Sequence, residues 1–138
     1  MLCIMQLRRT LLVCIAVSFG AIDLLHKSLA NAEFHHARTP FVALMMCAVI
    51  AALVVLVPRV PSNAAAVGAG VACGGALGNL ISLFAWAQGV PDPLVVTSGL
   101  HGVAFNLADL FALAGDALLL SAIAVYGLRN RARLAEPV

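Results

Sequence analysis

Four long apolar runs are the feature that most constrains what this chain can fold into. They cover about residues 10–30, 41–57, 64–87 and 103–128. A membrane-spanning helix needs about 20 mostly apolar residues, within a range of roughly 17–25. We therefore predict an all-α membrane protein in which four transmembrane helices form a single domain over residues 1–138.

The composition supports this class and argues against others. Hydrophobic residues make up 63% of the chain and charged residues 10%, with a mean hydropathy of +1.06, whereas soluble domains are about 45–50% apolar and about 25% charged. A soluble enzyme, a disordered segment and a nucleic-acid partner are therefore not expected. The cysteines lie in or beside the apolar runs without a C-x-x-C pair or a histidine at ligand spacing, so we expect no disulfide, metal or cofactor: Cys3, Cys14, Cys47 and Cys73.

The basic residues predict how the helices are oriented. Lys27 and Arg38 belong to one side of the membrane, and the other six basic residues fall on the opposite side: Arg8, Arg9, Arg59, Arg129, Arg131 and Arg133. Because basic residues accumulate in cytoplasmic loops, we expect both termini to be cytoplasmic. The segment between helices 1 and 2 and the loop over residues 88–100 then face outward.

A cleaved signal peptide is an alternative interpretation of helix 1. The segment has a basic start, an apolar centre and the small-residue sequence Ala30-Asn31-Ala32, which are the parts of a secretory signal. Asp23 and Lys27 interrupt the approach to that cleavage site, which favours a retained transmembrane helix.

Several ionisable or amide side chains lie inside the predicted spans, where a charge costs roughly 2.5–3.5 kcal/mol at the helix centre. Asp23 and Lys27 are four residues apart on helix 1, so they can pair. Asn106 and Asp109 share a face of helix 4, with Asp109 about 9 Å inside its outer end if that helix starts near residue 103. Asp23 lies about 10 Å inside the outer end of helix 1. The two helices therefore bring polar groups to a similar depth.

Helix 3 and the far part of helix 4 leave several interpretations open. Helix 3 contains closely spaced glycines that favour tight helix packing, followed by the amide of Asn79: Gly68, Gly70, Gly74, Gly75 and Gly78. Asp116 either extends a polar track or lies beside Gly115 where helix 4 packs against helix 1. A small transporter or channel component is an alternative function that rests on Asp116 and the glycine-rich helix.

Two acids suggest a reaction. Asp109 on helix 4 and Asp92 in the adjacent outer loop can approach each other, and two neighbouring carboxyl groups hold one proton between them. Such a dyad can take a proton from water and give one to a peptide carbonyl oxygen, which is aspartic-protease chemistry without a metal ion.

Three short motifs resemble one known family. Residues 74–81 read GGALGNLI, residues 105–109 read FNLAD, and residues 23–27 have the form D-x-x-x-K. Together, and in their order along the chain, they are similar to the motifs of signal peptidase II, the lipoprotein signal peptidase. The resemblance implies a multi-pass aspartic endopeptidase of the bacterial cytoplasmic (inner) membrane, surrounded by membrane lipids, with its active site toward the outer face. It also implies the substrate, a diacylglyceryl-modified prolipoprotein whose signal peptide is removed just before the lipidated cysteine.

The resemblance also implies roles for individual residues. Asp109 corresponds to one catalytic acid, and Gly89-Val90-Pro91-Asp92 is the nearest match to the family's G-x-V-x-D pattern around the other, although it is one residue shorter. The remaining residues are expected to bind substrate or support the site: Asn79, Asn106, Asp23, Lys27 and Gly75.

The chain also departs from the family pattern, as a divergent and shortened member. Ser82-Leu83 stand where the family continues GNLI with Asp-Arg. Residues 31–39 are expected to be too short for the family's outer β-rich platform, so that His35, His36 and Arg38 meet lipid headgroups or water. These departures leave a second hypothesis, a catalytically inactive relative that binds lipoprotein or membrane-helix clients.

Overall fold

The computed structural model describes residues 2–37, 39–98 and 101–131. Within these ranges it contains four long helices, α1 (Leu2–Leu29), α2 (Pro40–Leu56), α3 (Asn63–Ala85) and α4 (Leu107–Arg129). Each is long and apolar enough to cross a membrane, α2 together with the 3-10 turn Val57–Arg59 that follows it. The predicted four-helix transmembrane fold is confirmed. The predictions for Arg38 and Arg133 concern residues outside the described ranges.

Helix α3 lies between α1 and α4 and is the most buried of the four helices. Ser62 begins it, because its hydroxyl accepts a hydrogen bond from the Ala65 backbone N–H at 3.2 Å, a usual way to satisfy a free helix-end donor. Helix α2 begins similarly at Thr39, with Pro40 in the first turn. None of the residues of α2 is buried, and its mean hydropathy of 2.9 suits contact with lipid.

The glycines of α3 allow close contact on two faces. A Cβ atom on Gly70 would lie 2.8 Å from Ile15 Cβ of α1, and one on Gly74 would lie 3.0 Å from the Ala16 carbonyl oxygen. On the other face, a Cβ atom on Gly68 would lie 2.9 Å from Leu119 Cα of α4. Since lipid offers no hydrophobic drive for helix association, such close backbone packing is a main source of stability.

Gly115 packs against α3, so the alternative in which helix 4 packs against helix 1 at this glycine is wrong. A Cβ atom there would lie 2.7 Å from Ala72 Cα of α3. The cause is the central position of α3, which keeps α1 and α4 apart over most of their length. Their contact includes an edge-to-face pair of Phe19 and Phe111, with ring centroids 4.8 Å apart.

Two small antiparallel sheets lie near the end of the bundle where α1 ends and α4 begins. Strand β1 (Phe34–His36) pairs with β2 (Val90–Asp92), and β3 (Leu94–Ser98) pairs with β4 (His101–Phe105). Residues 31–39 thus contribute one short strand to a sheet, whereas the sequence indicated only that this segment is too short for the family's β-rich platform. Three residues suffice for β1 because its partner comes from a distant part of the chain, which local sequence does not reveal.

Two helix boundaries differ from the predictions. Helix α4 begins at Leu107 and not near residue 103, because Val103 belongs to β4 and Asn106 caps the helix. Asp109 is therefore in the first turn of α4 rather than about 9 Å inside it. Helix α1 begins at Leu2 and not near Thr10. Arg8 and Arg9 interrupt the apolar run from which the membrane span was predicted, but arginine is a good helix former, so the helix extends through them.

Candidate active site

Buried polar side chains gather at the end of the bundle next to the sheets. Six of them are at most 5% exposed: Asp23, Lys27, Asn79, Ser82, Asp92 and Asn106. Asp109 lies beside them and is half-buried. We call these seven residues the polar network. Buried polar groups in a membrane protein need partners, since hydrocarbon supplies none, and commonly mark functional sites.

Lys27 connects α1 to α3 through its ammonium group. Its Nζ atom lies 2.7 Å from Asp23 Oδ2 on the same helix. It also donates to Asn79 Oδ1 at 2.8 Å and to Ser82 Oγ at 3.2 Å on α3. Three acceptors match the three donors of an ammonium group, so the buried charge is fully compensated by its neighbours.

Asp23 connects α1 to the start of α4. Its Oδ1 atom accepts a hydrogen bond from the Ala108 backbone N–H at 2.8 Å. Gly78 makes room for this carboxylate, because a Cβ atom there would lie 3.0 Å from Asp23 Cγ. A carboxylate at the N-terminus of a helix is also stabilised by the helix dipole. Asp23 thereby determines where the first turn of α4 lies.

Asp109 is held by amide groups from two elements. Asn79 of α3 donates to Asp109 Oδ1 at 2.9 Å. The backbone N–H of Asn106 donates to Asp109 Oδ2 at 3.1 Å, while Asn106 Oδ1 accepts from the Asp109 N–H at 3.2 Å. This reciprocal pair is a capping box. Asn79 therefore supplies Asp109 with a partner from another helix.

Asp92 also contacts Asn106, from the side opposite to Asp109. Its Oδ1 atom accepts a hydrogen bond of 2.6 Å from Asn106 Nδ2, and its Oδ2 atom contacts His36 Nδ1. Strand pairing of β2 with β1 holds Asp92 in this position. Asn106 therefore contacts both acids, one with its Nδ2 group and the other with its Oδ1 atom and backbone N–H.

The polar network unites six of the seven residues singled out in the sequence. Gly75, the seventh, lies at the crossing of α3 and α4, where a Cβ atom would be 2.8 Å from the Ala112 backbone nitrogen and would also meet the Ala108 carbonyl oxygen. Its place is in the packing that supports the first turn of α4. Asp116 is exposed on α4, two turns from Asp109. The catalytic and binding roles of the seven remain predictions.

Sequence reasoning missed two residues of this region. Ser82 accepts from Lys27 and donates to the Gly78 carbonyl oxygen at 2.6 Å. Its spacing of three residues from Asn79 places both on one helix face, a signal that could have found it. His36 was expected to meet lipid headgroups or water, yet it contacts the buried Asp92. No local pattern indicates a contact between residues 56 positions apart.

An open cavity of about 610 Å³ lies between β1 and the β3–β4 hairpin. Its lining includes three histidines, His35, His36 and His101. Across the described ranges, no group of three or more His, Cys, Asp or Glu side chains is placed to hold a metal ion. His36 lines this cavity and also contacts Asp92, so the cavity adjoins the polar network.

Fold and site together define a helical multi-pass membrane protein with a buried network of acids and amides at one end. The sequence model of the signal peptidase (SPase) II family matches residues 19–125, which include all three motifs. The chain belongs to the signal peptidase II family. This is a family of aspartic peptidases that process lipoprotein signal peptides in membranes. A search of curated proteins found no match.

Proposed function

We propose that this protein is an intramembrane aspartic endopeptidase that removes signal peptides from diacylglyceryl-modified prolipoproteins, with Asp92 and Asp109 as the catalytic dyad. The observation that carries the proposal is the position of Asn106, which contacts both carboxyl groups. A single residue thus links two acids from separate elements. Two adjacent carboxyl groups share one proton, the protonation state that aspartic-protease chemistry needs.

The dyad supports a two-step hydrolysis. The ionised acid takes a proton from water as the water oxygen attacks the scissile carbonyl carbon, and the protonated acid donates its proton to the carbonyl oxygen. The resulting tetrahedral diol collapses when the leaving nitrogen takes a proton from one acid and a diol hydroxyl returns a proton to the other. The C–N bond breaks, and the dyad regains its single shared proton.

The rest of the polar network positions the dyad. Lys27 holds Asn79 by its oxygen, which leaves the Asn79 Nδ2 group to donate to Asp109. Asp23 anchors the first turn of α4, on which Asp109 lies. Fixed amide donors of this kind cost no reorganisation during the reaction.

The location of the dyad suits a membrane-embedded substrate. The end of the bundle that carries the sheets lies opposite the Arg8 and Arg59 end, and the positive-inside rule assigns that basic end to the cytoplasm. The dyad then lies near the outer face of the bacterial cytoplasmic membrane, where water is close. The cavity beside β1 offers room for the precursor segment next to its cleavage site.

The test is cleavage of a diacylglyceryl-modified prolipoprotein by the purified protein in detergent. We expect Asp92→Asn and Asp109→Asn each to lower kcat about 100-fold or more, since each removes a proton-transfer group. The matched control is Asp116→Asn, which changes an exposed acid on the same helix as Asp109 and should leave kcat unchanged. Full activity in either dyad variant, with the fold retained by circular dichroism, would contradict the proposal.

A catalytically inactive relative that binds lipoprotein or membrane-helix clients is the second candidate. It is favoured by the deep burial of Asp92, which is 1% exposed, and by Ser82-Leu83 in place of the family's Asp-Arg. If the unmutated protein does not cleave the precursor under conditions in which a positive-control peptidase does, this candidate replaces the first.

A further inference from the structure

The contact between His36 and Asp92 has a role that the family assignment does not include. We propose that His36 is a positioning residue for Asp92, and that the charge on its imidazole decides which acid of the dyad carries the shared proton. The inference rests on the proposed function and adds a form of regulation to it. It also predicts a difference between two adjacent histidines, which makes it testable within one strand.

Strand register brings His36 to Asp92 and keeps His35 away from it. In the β1–β2 pair, His36 is opposite Val90 and Phe34 is opposite Asp92. His36 and Asp92 are therefore diagonal neighbours on one face of the sheet, a distance that a long side chain can bridge. His35 is opposite Pro91 and points to the other face. Only the second histidine of the pair is placed to touch the acid.

Burial differs sharply across this contact. The Asp92 side chain is 1% exposed and the His36 side chain is 60% exposed. The imidazole also lines the open cavity between β1 and the β3–β4 hairpin. Protons can therefore exchange between solvent and the imidazole without passing through the helix bundle, and the imidazole transmits its charge to a carboxyl group that is itself buried.

Other titratable groups surround this pair on every side. Asp109 lies beyond Asn106 on α4, and Lys27 of α1 is already paired with Asp23. The others are Glu33, which immediately precedes β1, and His35 and His101, which line the cavity. Of these groups, His36 is the one whose nitrogen contacts Asp92 Oδ2, so its charge acts on the dyad most directly.

The protonated imidazole directs the shared proton to Asp109. An imidazolium donates through Nδ1 and favours the ionised form of the carboxyl group that it contacts. Asp92 is then the acid that accepts a proton from water, and Asp109 is the acid that protonates the substrate carbonyl. The hydrogen bond from Asn106 Nδ2 to Asp92 Oδ1 is compatible with this assignment, because an ionised carboxylate accepts hydrogen bonds at both oxygens.

The neutral imidazole favours a less productive arrangement. In the neutral tautomer that carries its proton on Nε2, Nδ1 accepts a hydrogen bond, so it binds Asp92 in its protonated form. The shared proton then points toward His36 and away from the substrate carbonyl. Because an imidazole loses its charge as pH rises, cleavage should fall with increasing pH.

The test compares pH profiles of kcat for the unmutated protein, His36→Gln and His35→Gln, with the lipid-modified precursor as substrate. We expect kcat of the unmutated protein to fall about tenfold with rising pH in a step that His35→Gln retains. Glutamine keeps an N–H donor but does not titrate, so His36→Gln should lose this step. Titration of the dyad itself is common to all three proteins, so the comparison isolates the imidazole.

Loss of the step in both histidine variants, or in neither, would overturn the inference. A second readout does not depend on cleavage. In protein labelled with ¹⁵N-histidine, the Nδ1 resonance of His36 should shift when Asp92→Asn is introduced, and that of His35 should not. An unchanged His36 resonance overturns the positioning role. A shifted resonance in a protein that cleaves no precursor overturns the proposed function and leaves the contact between His36 and Asp92 established.

Discussion

Lys27 shows how a single side chain can define a buried site. Its ammonium group has three acceptors, Asp23 on its own helix and Asn79 and Ser82 on α3. The resemblance to signal peptidase II implies an acid at position 82, where this chain has serine. The serine hydroxyl supplies the third acceptor without adding a negative charge, so the site keeps one cation beside one compensating carboxylate. Spacing on α1 predicted the pair of Lys27 with Asp23, but its partners on α3 depend on helix packing.

Removing the cation alone should destabilise the fold. In Lys27→Met, the Asp23 carboxylate stays buried without its counter-charge, which costs about 3–5 kcal/mol. Replacing both residues, as Asp23→Asn with Lys27→Met, removes the uncompensated charge and should recover most of that loss. The measurement is the free energy of unfolding in mixed micelles containing sodium dodecyl sulfate, followed by circular dichroism. Equal stability of the single variant and the unmutated protein would show that the pair is not structural.

At the scale of elements, the crossing of α3 with α4 supports the first turn of α4, which carries Asp109. Gly75 and Gly115 lie at this crossing, and both bring backbone against backbone. The sequence predicted close packing from the glycines, but the neighbour that it offered for Gly115 as one alternative, helix 1, is not the one that the fold provides. Glycine spacing identifies a face of a helix, whereas the partner of that face depends on how the connecting segments route the chain.

Gly115→Ala should weaken this crossing. The added Cβ atom would contact the Ala72 backbone, so the helices must separate, and overpacking of this kind costs about 1–3 kcal/mol. The matched control on the same helix is Gly127→Ala, where a Cβ atom meets nothing within 4 Å. The control should be neutral or stabilising by up to about 1 kcal/mol. The measurement is the free energy of unfolding of both variants in detergent. Equal values for Gly115→Ala and Gly127→Ala would contradict the packing role of Gly115.

At the scale of the whole molecule, charge is distributed unequally between the two ends of the bundle. Arg8 and Arg59 lie at one end, with the basic last turn of α4, while the polar network and the sheets lie at the other. The apolar outer faces of the four helices lie between these ends. We expect this asymmetry to orient the protein in the membrane, because the cytoplasmic side favours the basic end.

Accessibility to a membrane-impermeant maleimide tests this orientation. One protein retains Cys3 as its only cysteine, and a second has Thr97→Cys as its only cysteine, with the native cysteines replaced by serine. Position 97 lies in β3 at the sheet end and position 3 in the first turn of α1. We expect intact cells to be labelled at position 97, and position 3 to be labelled only after permeabilisation. The reverse pattern would contradict an outward-facing dyad.

Local sequence by itself determined the transmembrane class, the four spans and the motifs whose polar residues lie together in the fold. Hydropathy and spacing are properties of neighbouring residues, so they can be read without knowing the path of the chain. Only the tertiary structure decided that Asn106 contacts both acids, that Ser82 completes the Lys27 site, and that His36 reaches Asp92 across 56 positions. Such contacts depend on strand register and on the central position of α3, which arise only when distant segments pack together.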